Sequence, residues 1–412
     1  MTKNKNFIEF LILLTLISFG FFGSLSHLFT AILILISCIN FFKSYYEISM
    51  EHLSKALFLA LTGCFFILCA TNLLHMELDL FMKSISPMLP IPIIALLVVL
   101  QSRSNYKISS KKIANFSQIS VVFSLLVYFA ISKYFGPETF LYQFHSDRLS
   151  LFSGNPIPFS FSMLGLSIFC LLNWRNSNKK NKLLAIICFS IGIYMAGFQS
   201  GTRSTLLAFI IIAPALIFYV AKTQRHAFVL IALTLSLCSI FCLFYVNGIL
   251  TSSYFDRIEN GLKTLLLLKN NDGSVSVRLE MWTAALKAIS EAPMLGYDIS
   301  KRFDAIVPHL PIEFKNTYSH PHNDVLASMI AGGFLAGLAA VVCLISGLLA
   351  AILSHNGSTE KLYFGAMISC SVLVTANIST VFFNDISSAW LAFSTYLIWI
   401  MEFKKNDSVL KK

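Results

Sequence analysis

The sequence predicts an all-α polytopic membrane protein of about 12 transmembrane helices, with one long non-cytoplasmic loop containing short helices. Three observations predict it. Of 412 residues, 56% are apolar and only 12% charged, whereas a soluble domain carries about 25% charged residues. The charges sit in short clusters between long apolar runs, many of them near the ~20 residues that a span needs. Lysine and arginine are also unequally shared between alternate connections. The net charge of +11 is spread over short loops rather than gathered on one face, which argues against nucleic acid as a partner and for a lipid bilayer.

The apolar runs fall at 7–23, 26–42, 56–74, 87–101, 117–135, 156–174, 183–198, 205–221, 227–248, 325–353, 362–383 and 387–403. Some carry Ser, Gly or Pro, which spans tolerate where neighbouring helices cover the freed backbone groups. Lys3 and Lys5 precede the first run without a following small-residue cleavage site, so that run is read as a retained span. With the N-terminus placed in the cytoplasm, 19 of the 31 basic residues fall in cytoplasmic segments. Only 4, Lys83, Lys133, Arg148 and Arg203, fall in short outer segments, and 8 in the long outer loop. This asymmetry sets the orientation, and an even span count puts the C-terminus in the cytoplasm as well. The chain divides into a nine-span bundle over 1–248, the outer loop over 249–324, and three spans with a cytoplasmic tail over 325–412. All nine cysteines lie in apolar runs without a CxxC pair, as packing residues rather than a disulfide or zinc framework.

Apolar periodicity marks the long loop as ordered. One helix is expected over 252–268, carrying Leu262, Leu265 and Leu266 and broken by Asn270-Asn271-Asp272-Gly273. A second is expected over 277–291, capped by Ser276 and ended by Pro293 and Gly296, with Leu279, Trp282, Leu286 and Ile289 as its apolar face.

The outer side holds the chemistry. Arg203, in Gln199-Ser200-Gly201-Thr202-Arg203-Ser204, is the one charge of its hairpin; it serves either as an interface anchor or as an anion-binding group. Arg278 opens the second loop helix, where a helix N-terminus and a guanidinium could both face an anion; the alternative is a solvated surface arginine. Arg257 and Arg148 each adjoin an aspartate, Asp256 and Asp147, so an ordinary ion pair competes with ligand binding. Guanidinium groups match phosphate oxygens bidentately. A transferase outside the cytoplasm, without nucleotide supply, needs a pre-activated substrate, and a lipid-linked diphosphate sugar meets both conditions.

In Ser319-His320-Pro321-His322-Asn323-Asp324 a histidine could take the proton of a sugar hydroxyl. The His-x-His pair could instead supply two metal ligands, but no cysteine or convincing carboxylate partner accompanies it. Glu77-Leu78-Asp79 is an isolated acidic pair, and Gly332-Gly333 with Gly337 reads as a helix-packing signal.

The motifs together resemble the O-antigen ligase family, within the larger group of ligases and Wzy-type polymerases. Gln-Ser-Gly-Thr-Arg-Ser (199–204) is similar to the family's arginine turn. Ser-Val-Arg-Leu-Glu-Met-Trp (276–282) is similar to its Arg-x-x-x-Trp helix, and Ser-His-Pro-His-Asn-Asp-Val-Leu (319–326) to its histidine loop. Asp147-Arg148-Leu149-Ser150 and Phe255-Asp256-Arg257-Ile258-Glu259 resemble the enterobacterial ligases. The resemblance implies a glycosyltransferase of lipopolysaccharide biosynthesis in the bacterial cell inner membrane. It would move O-antigen from undecaprenyl diphosphate to lipid A–core at the periplasmic face, with inversion and with neither metal nor cofactor. It also implies that Arg203 and Arg278 bind the diphosphate, with Arg257 assisting, and that Arg148 belongs to the binding site. His322 would be the general base, and His320 and Asn323 would position the acceptor. A polymerase, which extends a second lipid-linked glycan, shares these motifs. A transporter is disfavoured because the spans are nearly free of charge.

Overall fold

The computed structural model describes residues 2–21, 28–33, 107–134, 155–221, 273–314 except 298, 320–354 and 358–403 except 383, with a few isolated positions between. The expected spans at 56–74, 87–101 and 227–248 and the loop helix at 252–268 lie outside these residues, as do Glu77, Asp79, Arg148 and Arg257.

The described elements are helices α1 (Thr2–Phe21), α2 (Ser110–Tyr134), α3 (Pro156–Cys170) and α4 (Lys179–Ile193), the last running into a π-helical turn at Tyr194–Gln199. After them come α5 (Arg203–Val220), the loop helix α6 (Gly273–Glu291) and α7 (Asp324–Leu344). Helices α8 (Ser346–Leu353), α9 (Thr359–Ile378) and α10 (Asp385–Ile400) complete the bundle. Two residue pairs, Ile108–Ser109 and Met401–Glu402, form a short parallel bridge.

Side-chain contacts fix the helix directions. Ser120 donates to the carbonyl of Leu16 at 2.7 Å and Lys112 pairs with Glu9, so α1 and α2 are parallel. Ser162 donates to Phe19 O and Gln118 to Cys170 O, which turns α3 against both. The Ser160 and Thr205 hydroxyls bond at 2.8 Å and the Tyr219 hydroxyl donates to Leu172 O, so α5 runs with α3. The Tyr219 ring packs edge-on against Phe364 at 4.8 Å, which sets α9 antiparallel to α5.

Helix α10 is buried from Ile386 to Ile400 and forms the core together with α3. The surrounding helices expose large apolar side chains, among them Leu126, Phe129, Leu183, Ile210 and Phe334. An exposed apolar girdle around an apolar core fits lipid rather than water as solvent. Among the described residues, five helical stretches are long and apolar enough to cross a membrane: Ser110–Ala130, Lys179–Gly197, Arg203–Val220, Asp324–Leu344 and Thr359–Ile378. Asn6–Gly20 and Pro156–Cys170 are shorter apolar helices. Cys170, Cys188 and Cys343 are buried free thiols and Cys370 is half-buried, in keeping with packing roles.

Three local expectations need correction. Helix α6 begins at Gly273, so Ser276 lies inside it and is not its N-cap. Val277 is buried with Met281, Ala284, Ala285 and Ala288 on one face of this longer helix. The buried stripe is also rotated from the expected one: Ile289 is buried, but Leu286 is 57% exposed and Leu279 and Trp282 are half-buried. Alanines let α6 lie close to α7, and the larger side chains turn outward. Finally, the run at 325–353 is not one continuous helix. Gly332 (φ −141°) and Gly333 (φ 72°) leave helical geometry inside α7, and Ile345 separates α7 from α8.

Candidate active site

One end of the bundle gathers the start of α7, helix α6, the loop after it, and the connection from α9 to α10. Arg278 projects from α6, where its Nε–H donates to the carbonyl of Ile378 at 3.0 Å, in the last turn of α9. A charge-assisted bond of this kind contributes about 1.5–3 kcal/mol, and it satisfies a carbonyl that the helix end leaves open. Because α6 starts at Gly273, Arg278 sits in its second turn. The expected partnership between Arg278 and a helix N-terminus therefore does not form.

His322 has φ 53°, the left-handed region that a non-glycine residue seldom occupies. Such a conformation costs about 1–3 kcal/mol and persists only where its surroundings over-determine it. The neighbouring residues do so. The backbone N–H of His322 donates to Nδ1 of His320 at 2.9 Å. With Nδ1 accepting, a neutral His320 carries its proton on Nε2, and that nitrogen lies 3.6 Å from Oδ1 of Asp324. The other oxygen of the fully buried Asp324 accepts from the backbone N–H groups of Val381 and Phe382, and the Thr380 hydroxyl also bonds this carboxylate. Asn323 caps α7, its Oδ1 accepting from Leu326 N–H at 3.0 Å. Chain entry into α7 is thus pinned from three directions.

The electrostatics separate the two histidines from free imidazole. Burial, and then the Arg278 guanidinium, push the His322 pKa down to about 4. Burial, then Arg302 and His322, hold His320 well below the usual histidine range. Both are neutral at neutral pH. The two rings meet edge-on with centroids 5.9 Å apart.

The structure therefore brings together Arg278, His320, His322 and Asn323 of the residues expected from sequence. Arg203 enters through helix geometry. It is the first residue of α5, about 24 Å along the helix from Tyr219. Tyr219 packs against Phe364, and Ile378 lies about 21 Å further along the antiparallel α9. Arg203 and the Arg278–Ile378 contact consequently occupy the same end of the bundle. Two further residues join the cluster without having been singled out from sequence. Asp324 carried a usable signal, since a carboxylate opening an apolar run four residues after a histidine is out of place on a lipid-facing helix. Arg302, close enough to Asp324 and His320 to affect both, was one of eight basic loop residues and nothing distinguished it. Among the described residues, no group of three or more His, Cys, Asp or Glu side chains converges as a metal site would require.

No curated protein matches the chain. Residues 184–341, from α4 through the loop into α7 and including Arg203, Arg278, Arg302, His320, His322 and Asp324, match the family model described as O-antigen ligase. Over that stretch the chain is similar to the O-antigen ligase family.

Proposed function

We propose that the protein is an O-antigen ligase that transfers polysaccharide from undecaprenyl diphosphate to a hydroxyl of lipid A–core. The site faces the periplasm from the inner membrane, and the reaction uses neither metal nor nucleotide. The observation that carries this reading is the neutral, half-buried His322 held beside the Arg278 guanidinium. A transfer of this kind needs a proton acceptor for the attacking hydroxyl and a cation for the departing diphosphate.

The positions of His322, Arg278 and Arg203 support the following division of roles; those of Arg257 and Arg148 rest on the family resemblance alone. His322 takes the proton of the acceptor hydroxyl as its oxygen attacks the anomeric carbon. The bond from that carbon to the diphosphate breaks, and the electron pair leaves with undecaprenyl diphosphate. A single displacement inverts the anomeric centre. Arg278, with Arg203 from the same end of the bundle, neutralises the growing charge on the leaving group; Arg257 and Arg148 complete the donor site. A base whose proton affinity is depressed by Arg278 gains affinity when the diphosphate offsets that guanidinium, so donor binding primes His322.

His320 and Asn323 act by holding the loop rather than by touching the acceptor. His320 accepts the His322 backbone N–H and faces Asp324, and Asn323 caps α7. The test uses purified protein, lipid-linked O-antigen and lipid A–core. His322→Ala lowers transfer by on the order of 10²–10⁴ while donor binding survives. Wild-type turnover in that variant overturns the general-base role. Elongation of the lipid-linked glycan in place of core modification makes the protein a polymerase.

A further inference from the structure

The turn that follows α6 presents two adjacent large apolar side chains at the surface. Met294 is 72% exposed and Leu295 69%. Adjacent large apolar side chains at the surface mark a contact with something apolar, and the way this turn is attached identifies what covers it. Phe334 N–H donates to Pro293 O at 2.8 Å, and Tyr297 N–H donates to Ile330 O at 2.8 Å. These two bonds clamp the turn into the break of α7. Gly333 makes the approach feasible: a Cβ there would lie 2.1 Å from Met294 O, and its φ of +72° suits glycine.

Directly past the clamp, Phe334, Leu335 and Leu338 are exposed at 62%, 58% and 54%, on a helix long and apolar enough to cross a membrane. The exposed apolar surface of the turn is therefore attached to that of the span, and whatever solvates Phe334 reaches Met294 and Leu295. The segment from Ala292 to Gly296 contains no charge, while Glu291 on its flank is engaged by the Tyr297 hydroxyl at 2.9 Å and by His309 at 3.2 Å.

We propose that Met294 and Leu295 anchor the loop in the acyl chains of the adjacent membrane leaflet. The broken helix α7 exists to receive this foot, which ties the C-terminal end of α6 to the bilayer while Arg278 in its second turn reaches Ile378. The occupant is lipid because the surface continues a span, where a partner protein would need a patch of its own. The anchor does not rest on the proposed transfer, and a chain without transferase activity would retain it.

Leu295→Trp in proteoliposomes tests this. Its emission is taken as the difference from the unsubstituted chain, which has four tryptophans. Lipids brominated at graded acyl depths should quench the added signal, most strongly near the headgroup end, while aqueous acrylamide leaves most of it. Glu280→Trp, at an exposed position of α6, should respond in the opposite way. Acrylamide quenching of Leu295→Trp equal to that of Glu280→Trp, without bromolipid quenching at any depth, overturns the proposal. Protection from both quenchers that is lost on dilution into excess lipid also overturns it, because a second copy of the chain would then be the occupant. Met294→Trp, run in parallel, keeps the test decisive if either variant fails to fold.

Discussion

At the scale of single residues, the proposed chemistry depends on how His322 is held. Its uncommon backbone conformation is supported by His320, and His320 is supported by Asp324. Asp324→Asn keeps the size of the side chain but removes the carboxylate that faces His320. The expected result is a lower kcat with the donor KM nearly unchanged, since the proposed diphosphate contacts of Arg278 and Arg203 are left in place. Equal losses in kcat and donor binding would make Asp324 a general fold residue instead. For Arg278, a Lys replacement keeps the charge but loses the planar fork that bonds Ile378 and that the proposed role needs for a phosphate as well. Arg278→Lys should therefore recover little of the activity lost in Arg278→Ala, as transfer assays with both variants will check.

The histidines also set a pH dependence. The His322 pKa is lowered to about 4 from an unfolded value of 6.5. Below 6.5 the unfolded chain binds protons that the folded chain refuses. The stability linked to this group is thus fully present above pH 6.5 and is lost as pH falls towards 4. In kinetics, the acid limb of kcat/KM reports the free enzyme and should lie near pH 4. The limb of kcat reports the donor complex, and should lie higher because the bound diphosphate offsets Arg278. Coincident limbs would remove the priming of His322 by the donor.

At the scale of elements, helix positions were largely legible and helix interruptions were not. The apolar runs at 117–135, 156–174, 205–221 and 387–403 correspond to α2, α3, α5 and α10 within several residues, because bilayer solvation writes length and hydropathy directly into sequence. The buried face of α6 is not the one its hydropathy suggests. Two stripes, Leu279–Trp282–Leu286 and Val277–Met281–Ala288, both have helical spacing, and size rather than hydropathy decides which one meets α7. The pair Gly332-Gly333 reads in sequence as a helix-packing signal, whereas its use as a break that receives a loop is a tertiary fact. Gly333→Ala places a Cβ against Met294 O at a positive φ and should cost about 1–3 kcal/mol. A fall in Tm with loss of loop docking would bear this out, and an unchanged Tm would contradict it.

At the scale of the whole molecule, the candidate site was legible as a list of residues but not as an arrangement. Arg203, Arg278 and His322 stood out through motif and chemistry, and the pairing of α5 with α9 brings distant segments to one end of the bundle. The carbonyls and N–H groups of Ile378–Phe382 that close the site carry no side-chain signature at all. The division of basic residues predicts that this end faces the periplasm. Glu291→Cys, at the exposed C-terminal end of the loop helix, should react with a membrane-impermeant maleimide in spheroplasts, and Lys179→Cys, at the lysine-rich end, should react only after lysis. The reverse pattern would invert the orientation.

The central claim is that the Arg278–His322 pair transfers glycan from a lipid-linked diphosphate to lipid A–core. The most direct measurement is the gel mobility of lipid A–core after incubation with lipid-linked O-antigen and purified protein, wild type against His322→Ala, without added nucleotide or metal. The account predicts a ladder of O-antigen on core with the wild type and bare core with the variant. A ladder of equal intensity from both, or bare core in both beside a lengthened lipid-linked glycan, would contradict it.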